Sequence, residues 1–485
     1  MKKGDVMGKN KLTKDGLLFC GMNSEDVTGS CIYGVFDDKK FLFECGLHQS
    51  SSNNYLDSYK ANSAKFKFNP KEIDYVFIGH AHIDHCGLLP RLVKEGFNGI
   101  VICTEETKQI MIPLLLNCSF ILEHEAKILS KKYKREYKNI YEETDVYELI
   151  DKIVTYSEYN KIYQLDDKVS FQFIENSHCI GSAQIQLILN NGIKRKKILY
   201  SSDIGSLDIK NHYVDKTVIP EMYNDYVIME STYGDSTRFC NKTREKDLAH
   251  LKVAIDTVLD RNGTVIFPAF SFSRTQELVS VLYELYHEED FKYNIYIDSK
   301  LSCDISELYS RILKDKNLKQ WNEIISWKNF KFIKEKEESK ECINNRCPKI
   351  IISSSGFCTN GRVVSYLEKY LSDENSMIIF SGYVGDNPSY LSYRIKNYKD
   401  NKLIKINKVP ISNKADTISL YTFSSHANYK ELIEYGSNLN TEKVILVHGS
   451  EKAKKNLKEK LQEKISKNNK TYKVLCSSKD MILSL

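Results

Sequence analysis

Apolar residues fall along this chain in short runs that stop abruptly at glycine, histidine or acid. Tyr75-Val-Phe-Ile-Gly79 reads as a buried strand, and Leu88 to Gly96 as a short helix closed by glycine. Leu17 to Gly21, Cys31 to Phe36 and Phe41 to Gly46 read as strands, the last two joined hairpin-fashion by an Asp37-Asp-Lys-Lys turn. Residues 104–131 carry a helical stripe of Ile110, Ile112, Leu114 to Leu116 and Ile121-Leu122. Lys168 to Ile174 and Gln184 to Leu189 alternate as strands do, and Ile198 to Ser202 and Tyr226 to Glu230 follow as strands. The rhythm then changes. Helices over Arg244–Asp260, Arg274–His287 and Ile305–Leu313 alternate with strands over Gly263–Phe267 and Asn294–Asp298, the pattern of a parallel α/β unit. The charged run Lys331–Glu341 predicts a surface loop or elaboration. Lys349–Ile352 and Met377–Phe380 predict two more buried strands. The tail predicts a strand over Lys443–Val447, a lysine-rich helix and a last strand over Tyr472–Cys476.

At 485 residues the chain exceeds one ordinary core, and two or three domains are expected. Its 41% apolar content fits a globular protein, and no apolar run reaches membrane length. The first ten residues lack the apolar centre of a secretion signal. Thirteen cysteines, odd in number and without framework spacing, predict reduced thiols and a cytoplasmic location. Cys342 and Cys347 lack the matching second pair of a zinc knuckle. A net charge of +6 permits a polyanionic partner without requiring one. The lysines of the helix at 452–461 read most simply as a solvated face, since Leu457 and Leu461 mark its buried side.

The densest chemistry lies in His80-Ala-His82-Ile-Asp84-His85-Cys-Gly87, a strand-to-helix turn with three of the chain's 11 histidines. Residues two apart in an extended segment point the same way, so His80 and His82 can hold one metal ion together. Asp84 and His85 lie past the strand and can aim at a second. Imidazole and carboxylate suit zinc. Other acids and imidazoles also stand where strands have just ended: His178, Asp203, Glu230, His426 and His448. Strand ends gather at one edge of an α/β sandwich, where ligands bind.

This order of motifs resembles the β-CASP branch of the metallo-β-lactamase fold, the nucleases of mRNA 3′-end cleavage and bacterial RNA processing. The resemblance spans nearly the whole chain. His80 to His85 match its HxHxDH signature, His178 its third motif and Asp203 its fourth. Glu230 in Glu-Ser-Thr-Tyr-Gly, His426 in Ser-Ser-His-Ala and His448 in Val-His-Gly match motifs A, B and C. The resemblance implies an α/β fold: a metallo-β-lactamase αββα sandwich over about 1–232 and 420–485, interrupted by a β-CASP α/β domain over 233–419. It implies two Zn2+ per chain, one held by His80, His82 and His178, the other by Asp84, His85 and His448, with Asp203 bridging. A hydroxide shared by the two ions would attack phosphorus in line. His426, oriented by Glu230, would protonate the leaving oxygen. The catalytic set is then Asp84, Glu230 and His426.

For the flanking domain, Ser354, Ser355, Gly356, Arg362 and Gly382 offer the small residues, free amides and charge of a phosphate cradle. Arg274 reads equally as a phosphate contact or as the partner of Glu277 one turn on. The implied activity is zinc-dependent hydrolysis of single-stranded RNA, leaving 5′-phosphate and 3′-hydroxyl ends, with no membrane partner and with a homodimer left open. A DNA nuclease of the same fold and a non-catalytic scaffold subunit are the alternatives. Two departures stand out. Glu44-Cys45-Gly46 replaces the family's Asp-Cys-Gly, and Asp386-Asn-Pro-Ser-Tyr-Leu replaces its Gly-Thr segment.

Overall fold

The computed structural model describes residues 12, 14–49, 55–208, 213–235, 243–382, 384, 388–398 and 402–485. Two seven-stranded sheets lie face to face. In the first, Ile482–Ser484, Gly16–Phe19, Ile32–Phe36 and Lys39–Phe43 run antiparallel, and Tyr75–Phe77, Ile100–Cys103 and Ile153–Thr155 continue parallel to the last of them. In the second, Lys473–Cys476, Thr441–Val447, Asn224–Glu230 and Arg195–Tyr200 are parallel, and Ala183–Asn190, Val169–Glu175 and Tyr163–Gln164 extend it antiparallel.

Alternation along these strands decides what lies between the sheets. Leu17, Phe19, Phe41, Phe43 and Phe77 from one sheet meet Phe171, Ile185, Tyr200, Ile228 and Ile445 from the other, all buried. Phe43 stacks on Tyr200 with ring centroids 5.1 Å apart. The outer face of the first sheet is covered by the 29-residue helix Glu105–Tyr133, which Thr104 caps by accepting from the Thr107 amide at 3.2 Å. Helices Tyr429–Asn438 and Glu451–Lys467 cover the second sheet. The layers are α, β, β, α.

A third sheet of six parallel strands lies within residues 264–419, in the order Phe330–Ile333, Asn294–Asp298, Lys349–Ser353, Thr264–Pro268, Met377–Phe380, Asp416–Ser419. It is inserted between two strands that pair side by side in the sandwich, with Glu230 opposite Val447. The helix Arg244–Asp260 begins and ends as its pattern predicts. The charged run is a correction. Lys331–Glu341 is no loop: it holds most of the strand Phe330–Ile333 and of the helix Lys336–Asn344. The strand is a sheet edge with only Phe330 and Ile333 buried, and the helix buries only Ser339 and Cys342, so neither leaves a strong apolar signal. The lysine-rich helix does bury Leu457 and Leu461, but also Lys454, whose ammonium donates to the carbonyl of Ser24 and, at 2.8 Å, to that of Ser477. Among the described residues every cysteine is free, and no helix is long and apolar enough to cross a membrane.

Candidate metal centre and active site

Three parallel strands of the second sheet end at one edge, and each delivers a candidate side chain at or just past its last residue. Arg195–Tyr200 leads to Asp203, Asn224–Glu230 ends on Glu230, and Thr441–Val447 leads to His448. Val169–Glu175 runs the same way two strands over and leads to His178. Opposite them, Tyr75–Phe77 leads to His80, and His82 opens the one-turn helix Ile83–Cys86, its carbonyl accepting from the His85 amide at 2.9 Å.

Asp203, 2% exposed, is the centre. Its Oδ2 lies 3.7 Å from His80 Nε2, 3.3 Å from His85 Nε2, 3.7 Å from His178 Nε2 and 3.9 Å from His426 Nε2. Its Oδ1 lies 3.4 Å from His448 Nδ1. Asp84 Oδ2 is 3.6 Å from His85 Nε2 and 3.4 Å from His448 Nε2. Two groups on either side of Asp203 have metal-binding geometry: His80 with His82 and His178, and Asp84 with His85 and His448, each with ligand atoms within 4.8 Å of one another. His80, His85 and His178 also approach further carboxylates, so two other triads, Glu44 with His80 and His85, and His178 with Asp203 and His426, meet the same criterion.

The electrostatics divide along these groups. Burial, with neighbouring imidazoles adding to it, holds His80 and His178 well below the ordinary histidine range, and burial brings His82 down to about 4. Burial alone would lower His85 and His448 too, but the carboxylates of Asp203 and Asp84 outweigh it and raise both. Asp203 is pulled down by His448, His85 and His426 against its own burial. Imidazole nitrogens gathered around buried carboxylates are a cation-binding donor set. Among the described residues, His80 Nε2 and His85 Nε2, which face Asp203, and Asp203 Oδ1 itself are buried without a hydrogen-bond partner. Each such orphan costs about 1–3 kcal/mol unless something binds it, so the site fits metal ions.

His426 and Glu230 form a separate pair at the rim. His426 Nδ1 is 3.0 Å from Glu230 Oε1, and the His426 side chain keeps 20% exposure while Glu230 is buried. Glu230 is fixed in turn by the amides of Ile204 at 3.0 Å and Thr232 at 2.7 Å. The third sheet reaches this centre through the loop after Thr264–Pro268. Phe272 packs its ring 5.0 Å from that of His82, and Ser273 Oγ is 3.2 Å from Ser425 Oγ.

The expected phosphate contacts are distributed differently. Arg274 pairs with Glu277 at 2.7 Å, both nearly buried, and lies alongside Gly382. Arg362 is committed elsewhere: its Nη1 lies 2.6 Å from the fully buried Asp298, and it donates to the carbonyls of Ile333 and Lys334. Ser354 Oγ donates to Ser299 at 3.0 Å and Ser355 Oγ to the Asn360 carbonyl at 3.2 Å. Gly356 lies against the Phe270 ring, where a Cβ would come within 3.0 Å of it. Tyr383 and residues 385–387, which include the first two residues of the departure from the Gly-Thr segment, lie outside the described residues.

Sequence reasoning gave no role to Asn176. Its Oδ1 accepts from the amides of His178 at 3.2 Å and Gly205 at 3.0 Å, and its Nδ2 donates to the Asp203 carbonyl at 2.7 Å. One side chain thus braces both loops. The only signal was an Asn two residues before a post-strand His, which is too common to stand alone. Thr232, whose Oγ1 is 3.0 Å from His448 Nδ1, was hidden in the same way.

The description "Metallo-beta-lactamase superfamily" matches residues 26–123, "Beta-Casp domain" residues 275–388, and "Zn-dependent metallo-hydrolase RNA specificity domain" residues 411–472. The chain is 27% identical over 441 residues to the transcription termination factor FttA of Methanocaldococcus jannaschii, covering 88% of this chain and 66% of that protein. It is 28% identical over 436 residues to ribonuclease TTHA0252 of Thermus thermophilus, covering 88% and 92%. It is 26% identical over 450 residues to the endoribonuclease YSH1 of Candida glabrata, covering 87% and 53%. A crystal structure of a protein of unknown function from Enterococcus faecalis superposes with a TM-score of 0.52 over 98% of this chain and 100% of that one at 12% identity, a likeness of fold.

Proposed function

The chain belongs to the β-CASP branch of the metallo-β-lactamase superfamily, and on that premise we propose that it is a zinc-dependent ribonuclease that cuts single-stranded RNA and leaves 5′-phosphate and 3′-hydroxyl ends. The observation that carries the reading is the convergence of seven ligand-type side chains from four separate stretches of chain, with buried nitrogens left unpartnered among the described residues. RNA is favoured over DNA by the RNA specificity description on residues 411–472 and by relatives named as ribonucleases. In this reading the β-CASP domain occupies about 233–419, between two parts of the sandwich.

His80, His82 and His178 would hold one zinc ion and Asp84, His85 and His448 a second, with Asp203 shared. Bound there, the ions supply an activated water as nucleophile and neutralise charge that builds on the phosphate. The protein's own groups do the rest. Glu230 Oε1 engages His426 Nδ1, which turns Nε2 toward the cleft with a proton for the leaving oxygen. His426 keeps 20% exposure at the rim, as a group that must meet substrate has to. Thr232 and the Asn23 carbonyl, which accepts from the His448 amide at 2.7 Å, fix the last imidazole.

The test is digestion of 5′- and 3′-labelled single-stranded RNA, with matched DNA in parallel. Wild type should cut RNA and leave 5′-phosphate, and His448→Ala should be nearly inactive. Faster cutting of DNA, or equal activity of the variant, rejects the reading.

A further inference from the structure

Behind the metal centre lies a second layer with an unusual backbone. Glu44 and Ser202 both sit in the left-handed region, at φ 62° and 51°, where side chains other than glycine are strained. Both are buried, and both touch histidines of the centre. Ser202 Oγ lies 3.2 Å from Glu44 Oε1 and 3.0 Å from His80 Nδ1. The same Glu44 Oε1 accepts from the Gly79 amide at 3.1 Å and lies 3.4 Å from His85 Nδ1. Ser202 fits only because residue 79 is glycine: a Cβ there would come within 2.4 Å of Ser202 Oγ.

The proton count fixes direction. A hydroxyl has one hydrogen, and a carboxylate only accepts, so Ser202 donates to Glu44 and must accept from His80. His80 therefore carries its proton on Nδ1, which leaves the lone pair on Nε2, the atom facing Asp203 at 3.7 Å. The same carboxylate oxygen lies 3.4 Å from His85 Nδ1, and His85 Nε2 also faces Asp203, at 3.3 Å.

We infer that Ser202 is a positioning residue that relays the Glu44 carboxylate to His80 and thereby sets the tautomer of that imidazole. The relay rests on the metal-binding part of the function proposed above, not on the nature of the nucleic acid. It also accounts for a serine held at a backbone angle that glycine would adopt without strain: the hydroxyl is retained for what it orients.

The test compares Ser202→Gly and Ser202→Ala. Both remove the hydroxyl, but only glycine relieves the backbone. Zinc dissociation constants are measured by competition with a chromophoric chelator, and the thermal midpoint is measured on metal-free protein. Loss of an outer hydrogen bond of this kind weakens metal binding by about 10–100-fold. Both variants should show that loss equally, and metal-free Ser202→Gly should melt at or above the wild-type temperature. Nitrogen NMR of the metal-free protein should place the His80 proton on Nδ1 in wild type and on both nitrogens in the variants. Zinc affinity within twofold of wild type in Ser202→Gly overturns the inference. So does weak binding in Ser202→Ala alone, or weak binding accompanied by loss of the cooperative melt in both, since each marks a role in backbone structure only. A wild type that binds zinc and shows the relay but leaves RNA uncut removes the ribonuclease reading and keeps this one.

Discussion

Replacing His426 with alanine separates proton transfer from everything else the site does. Among the described residues the side chain makes one hydrogen bond, from Nδ1 to Glu230 Oε1 at 3.0 Å, and it is 20% exposed. Glu230 keeps the amides of Ile204 and Thr232 after the change, so its carboxylate is not orphaned. The fold should therefore lose about 1 kcal/mol or less. Activity should fall far more. A positioned acid contributes about 10²–10⁴-fold, or roughly 2.7–5.5 kcal/mol of barrier. The decisive assay uses two substrates. One is labelled RNA, whose leaving alkoxide needs a proton. The other is a nucleoside p-nitrophenyl phosphodiester, whose leaving group departs without one. His426→Ala should lose about 10²–10⁴-fold on RNA but under about 10-fold on the activated diester. Equal losses on both would mean that His426 binds or orders substrate, and would refute its role as proton donor.

Other outcomes follow from the same coordinates. Arg362→Ala strands the fully buried Asp298, which Ser339 and Tyr366 then hold without a cation, and should cost about 3–5 kcal/mol in urea unfolding. Its RNA affinity at low temperature, by filter binding, should change by less than threefold; a larger change would give Arg362 a place on the substrate. Glu125 on the long helix is pushed up to about 7 by burial, so the fold takes up its proton between about pH 4.5 and 7 and loses stability as pH rises through that window. Glu125→Gln should flatten that loss and gain about 1–2 kcal/mol at pH 8, read by denaturant titration at pH 5 and 8. Removing metal with a chelator should lower the melting temperature, and zinc at about 1,000 times its dissociation constant should restore about 4 kcal/mol. Metal analysis should find two zinc ions per chain, and magnesium alone should restore nothing.

Much of this arrangement was readable from the chain, because strand ends carry their chemistry beside them. His80 to His85 follow an apolar run whose burial leaves no other reading, and His448 follows another. What pairs across the chain was not readable. Nothing in the sequence joins Arg362 to Asp298, 64 residues away, so Arg362 reads as free to meet phosphate although its guanidinium is already held. Glu44 shows the converse. The extra methylene looks like a defect beside the family's Asp, until Ser202, 158 residues on, supplies the hydroxyl that the longer side chain meets. Edge strands and polar helices, such as Phe330–Ile333 and Lys336–Asn344, escape because they bury too few side chains to leave a period.

The interruption of the sandwich has a consequence for how the protein is born. Thr441–Val447 inserts between Asn224–Glu230 and Lys473–Cys476, and His448 arrives with it. Until a ribosome has translated past that point, the nascent polypeptide holds the HxHxDH turn and Asp203 but neither His448 nor the strand that joins Asn224–Glu230 to Lys473–Cys476.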